Sequence, residues 1–414
     1  MRCLSAALCC AVVGSVLNSP PLPFLPTLKG VQGVDDQSVT LAAHALPDGG
    51  ASLRARYANL EKGIAPGLRR YNCFWVALEG GPPAAATPLA CPATHVLTPA
   101  NESERVALGY RLFHCYSRDM ISTYDTFLAL DASIGTQSAF IMYGVPDWAA
   151  HPSCTGFPWP PSPNYRLGCL PWAASAQDAY HDYYLFSLRR WRGQLTSVCV
   201  WNEVQSLGWS DPSPILPNRH PAGPPGTPMF TPPQLALYAE MLSNLTLLAG
   251  EAARAASPSA PAFAWLSTDH FLTAPKAAPG DVGHLGLQEL LDAMWPVLWA
   301  RGGQGQLAWG LAVHPYDGGD PRQDLTAQGI YTFGTLHKAV AAFQCAKLGE
   351  VGVPPAHCPQ RPETQMWASE QGCACCAALL STRGGVSLLP SAHACNNRPL
   401  PPPRNSPPSC RAAI

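Results

Sequence analysis

Two apolar runs in this chain stop on a carboxylate. "SVCVWNEV" at 197–204 ends its apolar stretch at Asn202-Glu203, and "TQMWASEQG" at 364–372 ends its own at Glu370. Two carboxyl groups facing each other across a few ångströms are what cleavage of a glycosidic bond requires. One protonates the leaving oxygen, and the other attacks or stabilises the anomeric carbon. That chemistry needs a scaffold that delivers two strand ends, far apart in sequence, to one face.

The elements around these runs supply one. Strand-like segments at 67–76, 138–148, 197–204, 261–271, 307–317 and 364–372 alternate with helical patterns at 105–131, 176–191, 233–256, 286–300 and 334–347. Such alternation predicts a parallel sheet covered on both faces. Six units, with a less clear first strand near 35–57, favour an α/β fold of the (β/α)8 TIM-barrel type over an open sheet. Beyond Gly372 the pattern lapses, and "GGVSLL" at 384–389 is the one candidate for an eighth strand, so the barrel reads as incomplete at its eighth unit. In a barrel of parallel strands the C-terminal strand ends gather at one mouth, where the active site sits. The polar residues at those ends are Asp147, Asn202-Glu203, Asp269-His270, His314 with Tyr316-Asp317, and Glu370.

These motifs, taken in order, resemble the glycoside hydrolases of clan A. "VWNEV" resembles the Trp-Asn-Glu signature that ends their fourth strand, and "MWASEQG" is similar to the nucleophile motif of their seventh. "RYNCFW", "IMYGVPDWA" and "AVHPYD" extend the likeness to the second, third and sixth strands, over about residues 50–375. The resemblance implies a retaining O-glycoside hydrolase acting on a poly- or oligosaccharide by double displacement. Glu203 would be the acid/base and Glu370 the nucleophile. Asn202 would bind the sugar 2-hydroxyl, Arg70 would keep Glu370 ionised, Tyr316 would orient it, and His314 would line the floor. Trp75, Trp148 and Trp367 are candidate sugar platforms. A retaining site implies a carboxyl separation of about 5–5.5 Å. An incomplete eighth unit would instead fit a catalytically inactive, sugar-binding barrel. A third reading is a metal-dependent hydrolase built on His270 and His314. It lacks a His-x-His pair, and neither a metal nor another cofactor is expected.

Composition agrees with a carbohydrate partner. The net charge is −1 and charged residues make up 13% of the chain, which favours neither nucleic acid nor an anionic membrane. Tryptophan, at 12 residues, suits the C–H faces of sugar rings. Residues 1–19, "MRCLSAALCCAVVGSVLNS", carry one early arginine and a short apolar stretch. They read as a secretory signal peptide, too short to span a bilayer, leaving no membrane segment after cleavage. The barrel is expected over 34–380, with a Pro-rich, disordered tail over 381–414. In a secreted protein Cys154–Cys169 and Cys345–Cys358 would each close a local loop as a disulfide. The sequence sets no oligomeric state.

Overall fold

The computed structural model describes residues 68–79, 81–154, 157–158, 166–207, 210–216, 229–256, 264–269, 285–302, 309–314, 339, 342–343, 345–347 and 365–368. The expected signal peptide, the first strand at 35–57, the eighth-strand candidate at 384–389 and the 381–414 tail lie outside these residues.

Among the described residues six strands form one sheet: β1 (Leu68–Phe74), β4 (Gln137–Tyr143), β7 (Leu195–Val200), β8 (Ala264–Asp269), β9 (Trp309–His314) and β10 (Gln365–Ala368). Their spatial order is β1-β4-β7-β8-β9-β10, and every pairing is parallel. Each strand of this sheet therefore pairs with the sheet strand that follows it in the chain, with no reversal of strand order. An open doubly wound sheet has such a reversal; a barrel wound in one direction does not. Among the described residues the sheet is not closed. All six expected strand-like segments are present, each shorter than its apolar run.

The connections supply the helices. They are α1 (Trp75–Leu78), α2 (Glu102–Leu108), α3 (Arg118–Ser133), α4 (Ala174–Trp191), α5 (Pro232–Ala256) and α6 (Leu287–Gly302). The expected single helix over 105–131 is a correction. It is α2 and α3 with an antiparallel hairpin, β2 (His95–Thr98) and β3 (His114–Ser117), completed between them. Local chemistry explains the break. Asn101 caps α2 by accepting from the Glu104 N–H at 2.9 Å, and Gly109 at φ 74 closes it in the left-handed conformation. Ser117 then caps α3, accepting from the Met120 N–H at 3.3 Å. The Cys91–Cys115 disulfide, which sequence spacing did not suggest, ties β3 to the loop before β2. A two-residue ribbon, β5 (Phe157–Pro158) with β6 (Arg166–Leu167), lies in the β4–α4 connection.

One layer of the core lies between the sheet and α3–α4. Phe140 meets Tyr124 and Trp191 edge-on or tilted at 5.3–5.4 Å, and the Tyr183 hydroxyl donates to the Cys73 carbonyl. Strand alternation divides the two arginines of β1. Arg69 faces the helices, where it meets Asp131 of α3 at 2.6 Å, and both are buried. Tyr71 and Ser138 donate to the same carboxylate at 2.9 and 2.6 Å. Arg70, also buried, takes the opposite face. No helix among the described residues is long and apolar enough to cross a membrane.

Candidate active site

The segment after β7 has the most unusual backbone among the described residues. Trp201 sits at φ 63 and Glu203 at φ 42, the two non-glycine residues there with positive φ. Each costs about 1–2 kcal/mol for an L-residue, so the surroundings must impose them. They do so through several bonds. The Trp201 N–H donates to the Met142 carbonyl at 3.2 Å, extending sheet contact one residue past β7. The Ser206 N–H closes a turn on the Glu203 carbonyl at 2.8 Å. The Tyr238 hydroxyl of α5 donates to the Val204 carbonyl at 2.7 Å. Gln205 is held twice by Leu285, accepting its N–H and donating to its carbonyl, each at 2.8 Å. The Trp201 ring is fully buried, 6.1 Å from Tyr180. Asn202 is buried and Glu203 half-buried at the end of a sheet strand. Strain of this kind, imposed by a bonded frame, is characteristic of positions where a side chain must be aimed.

Arg70 shares the other face of the sheet with Cys199. Parallel register aligns Arg70 with Ala139, Asn72 with Ile141 and Ile141 with Cys199. Burial pushes the Cys199 thiol up to about 12, against a smaller downward pull from the Arg70 charge. On the same face Phe74 and Tyr143 meet edge-on at 5.0 Å near the strand ends.

Trp75 is corrected. It begins α1 instead of ending β1, and it is fully buried. Its indole N–H donates to Glu79 at 2.6 Å, and its ring packs against Trp148, Tyr180 and Tyr183 at 5.4–5.9 Å. A ring closed on all sides offers no face to a sugar. Trp148, in the turn after β4, is half-buried and meets Trp75 edge-on. The same loop carries the expected Cys154–Cys169 disulfide. Cys345 is also disulfide-bonded, and Cys358 lies outside the described residues.

Sequence reasoning passed over a second ionic cluster, around His114 of β3. His114 Nδ1 lies 2.6 Å from Glu79 and Nε2 lies 3.0 Å from Asp182 of α4. Both ring nitrogens thus face carboxylates, the arrangement of an imidazolium. Asp182 Oδ2 also accepts from the N–H groups of Arg111 and Leu112 at 2.8 and 2.7 Å, and His181 Nδ1 lies 2.8 Å from its Oδ1. All four side chains are buried. Burial alone would lower the His114 pKa, but Glu79 and Asp182 outweigh it and raise it to about 9. Burial pushes the Asp182 carboxyl up, and its bonds to His114 and His181 more than reverse this, leaving it below the usual range. The one available signal was a lone His and a lone Asp on apolar stretches, which sequence spacing does not connect.

His314 ends β9, with its backbone in register with Asp269 of β8, and Trp367 lies within β10 opposite Ala312. Their side chains, together with Tyr316, Glu370 and His270, lie outside the described residues. So does the Glu203–Glu370 separation.

No protein-family profile and no curated protein matches this sequence. Among solved structures, the chain is similar to a β-glycosidase from Thermosphaera aggregans, with 10% identity, 83% of this chain and 77% of that chain covered, and a TM-score of 0.40. It is similar to a β-glucosidase from Pyrococcus furiosus at 12% identity, 83% and 76% coverage and a TM-score of 0.40. An exo-β-1,4-mannosidase from Opitutaceae bacterium strain TAV5 aligns at 14% identity over 78% of this chain and 49% of that one, with a TM-score of 0.35. Scores of 0.35–0.40 fall short of a shared fold, so these names describe the neighbours and settle nothing about this chain.

Proposed function

We propose that the chain is a secreted glycoside hydrolase that cleaves O-glycosidic bonds in a poly- or oligosaccharide with retention of configuration. The observation that carries this reading is the Trp201–Glu203 turn. A half-buried carboxylate and a buried amide stand side by side at a strand end, in a backbone held out of its preferred conformation by bonds from β4, α5 and Leu285. In this reading Glu203 gives its proton to the leaving oxygen while Glu370 attacks the anomeric carbon. Water then hydrolyses the glycosyl-enzyme, with Glu203 as base. Asn202 holds the sugar 2-hydroxyl, and Arg70 keeps the nucleophile ionised.

The test is the anomer first released from an oligosaccharide the protein cleaves, followed by proton NMR before mutarotation. A retained anomer is expected. An inverted anomer removes the double displacement, and failure to cleave any of a panel of β- and α-linked oligosaccharides removes the hydrolase reading itself.

A further inference from the structure

Two Asn-x-Ser/Thr triplets occur in the chain, Asn101-Glu102-Ser103 and Asn244-Leu245-Thr246, and the proposed hydrolysis uses neither. Such a triplet is the acceptor for an N-linked glycan in a chain that enters a secretory pathway. The fold treats the two in opposite ways.

Asn101 stands just before α2 with an extended backbone, φ −157 and ψ 173. Ala100, Asn101, Glu102 and Ser103 are all exposed. The Asn101 Oδ1 accepts from the Glu104 N–H at 2.9 Å, and Glu104 Oε2 accepts the Ala100 N–H at 2.8 Å. The cap thus uses the amide oxygen. A glycan attaches to the other amide atom, Nδ2, which makes no hydrogen bond among the described residues. An amide linked to a sugar keeps its oxygen, so the cap survives the attachment. Helix α2 buries none of its seven residues, and a bulky group at its start displaces no packed side chain. The Cys91–Cys115 disulfide in the adjoining hairpin fits the same compartment, because such bonds form where thiols are oxidised.

Asn244 lies inside α5, half-buried between Ser243 and Leu245, which are 0% and 1% exposed. Thr246, also buried, donates its hydroxyl to the Leu242 carbonyl at 2.9 Å. Glycan transfer takes the triplet extended, with that hydroxyl free to meet the asparagine amide. The helix denies both conditions. A sugar chain on Asn244 would also have to leave from between residues packed in the core.

We propose that Asn101 is a site of N-linked glycosylation and that Asn244 is not. The inference rests on the secretory part of the proposed function. The donor is an oligosaccharide carried on a polyprenyl pyrophosphate. Nδ2 forms a bond to the anomeric carbon as the bond from that carbon to the pyrophosphate oxygen breaks. The pyrophosphate leaves with the electron pair, and Nδ2 gives up one proton to solvent. The product is a neutral secondary amide whose Oδ1 still caps α2.

The test expresses the full-length chain in a eukaryotic host and treats the product with a peptide-N-glycosidase in heavy-oxygen water. The peptide holding residue 101 should carry a heavy-oxygen aspartate, and the peptide holding residue 244 an unmodified asparagine. Deglycosylation should shift the wild-type band once on a gel. Ser103→Ala keeps the cap, and Asn101→Asp replaces it with an equally good one; each should abolish the shift. A non-reduced digest of the same sample separates two kinds of failure. Linked Cys91–Cys115 with an unmodified Asn101 overturns the proposal and leaves the secretory reading standing. Free Cys91 and Cys115 with an unmodified Asn101 overturn both. A shift that survives Ser103→Ala, or label at residue 244, overturns the assignment to Asn101 alone. The wild-type peptide masses decide the matter if the variants do not fold.

Discussion

His114 and Glu203 are both ionisable residues at the ends of strands, and their surroundings are opposite. Around His114 each group is buried and hydrogen-bonded: an imidazolium between two carboxylates, with two backbone N–H groups adding to Asp182. The backbone there is ordinary. Around Glu203 the carboxylate is half-buried, and the backbone carries the unusual geometry. A buried cluster whose polar atoms bond one another presents no face to a substrate, and its removal is a matter of stability. A carboxylate aimed by a strained frame spends stability on position. If Glu203 is the acid/base of the proposed hydrolysis, the contrast separates a structural ionisable group from a chemical one.

The sharpest way to break it is Glu203→Gln. Hydrolysis of an unactivated glycoside should fall by about 10²–10⁴, the usual contribution of general acid catalysis. A substrate with a good leaving group should lose much less, and the melting temperature should hold. Equal activity on both substrates would make Glu203 one more surface carboxylate. On the other side, Asp182→Asn leaves His114⁺ facing one carboxylate and should cost about 3–5 kcal/mol in urea unfolding, the range for breaking a buried ion pair. Any variant protein that folds should keep its kcat; a kcat collapse in folded protein would move the cluster into the chemistry.

Acid–base titration sharpens the same point. The His114 pKa is raised from 6.5 to about 9 in the folded state. Its stabilising contribution is therefore fully present below about pH 6.5 and is lost as pH rises through about 9. Thermal unfolding of the wild type should show a fall in melting temperature across that window, and His114→Gln should flatten it. The smallest effect belongs to the frame of the turn. Tyr238→Phe removes the bond to the Val204 carbonyl and should cost about 0.5–1.5 kcal/mol of stability. It should also reduce kcat more than it raises KM, because it loosens the aim of Glu203. A Tyr238→Phe enzyme with unchanged kcat would show that the turn needs no such support.

The strand pattern was legible because each strand is a compact apolar run bounded by Gly and Pro, as in 138–148 and 261–271. The chain-order sheet then followed from helices long enough to cross back. What escaped was short or non-local. β3 has four residues between two helical patterns, too few for alternation to outweigh the flanking periodicity. Trp75 looked like a strand end because helix α1 is a single turn with no polar cap: Phe74 precedes it and makes no side-chain bond. The Glu79–His114–Asp182 cluster joins three elements separated by 35 and 68 residues, and no local pattern reports such a meeting. At the candidate site, the Asn-Glu pair was visible as a type and a position. The positive φ of Trp201 and Glu203 was not, because neither Trp nor Glu signals the left-handed region.

The strand order has a consequence for synthesis. Among the described residues, each strand of the six-stranded sheet after β1 pairs with the strand of that sheet made before it, from Leu68–Phe74 through to Gln365–Ala368. Among these strands each new one can pair as soon as it is made, at the edge left by its predecessor in the sheet. A nascent chain arrested after α5 would already hold β1, β4 and β7 in register, with the Trp201–Glu203 turn and its Tyr238 tether in place. On the proposed function, Glu203 would thus take its place, short only of the Gln205–Leu285 bonds, before the strand that precedes Glu370 has been made.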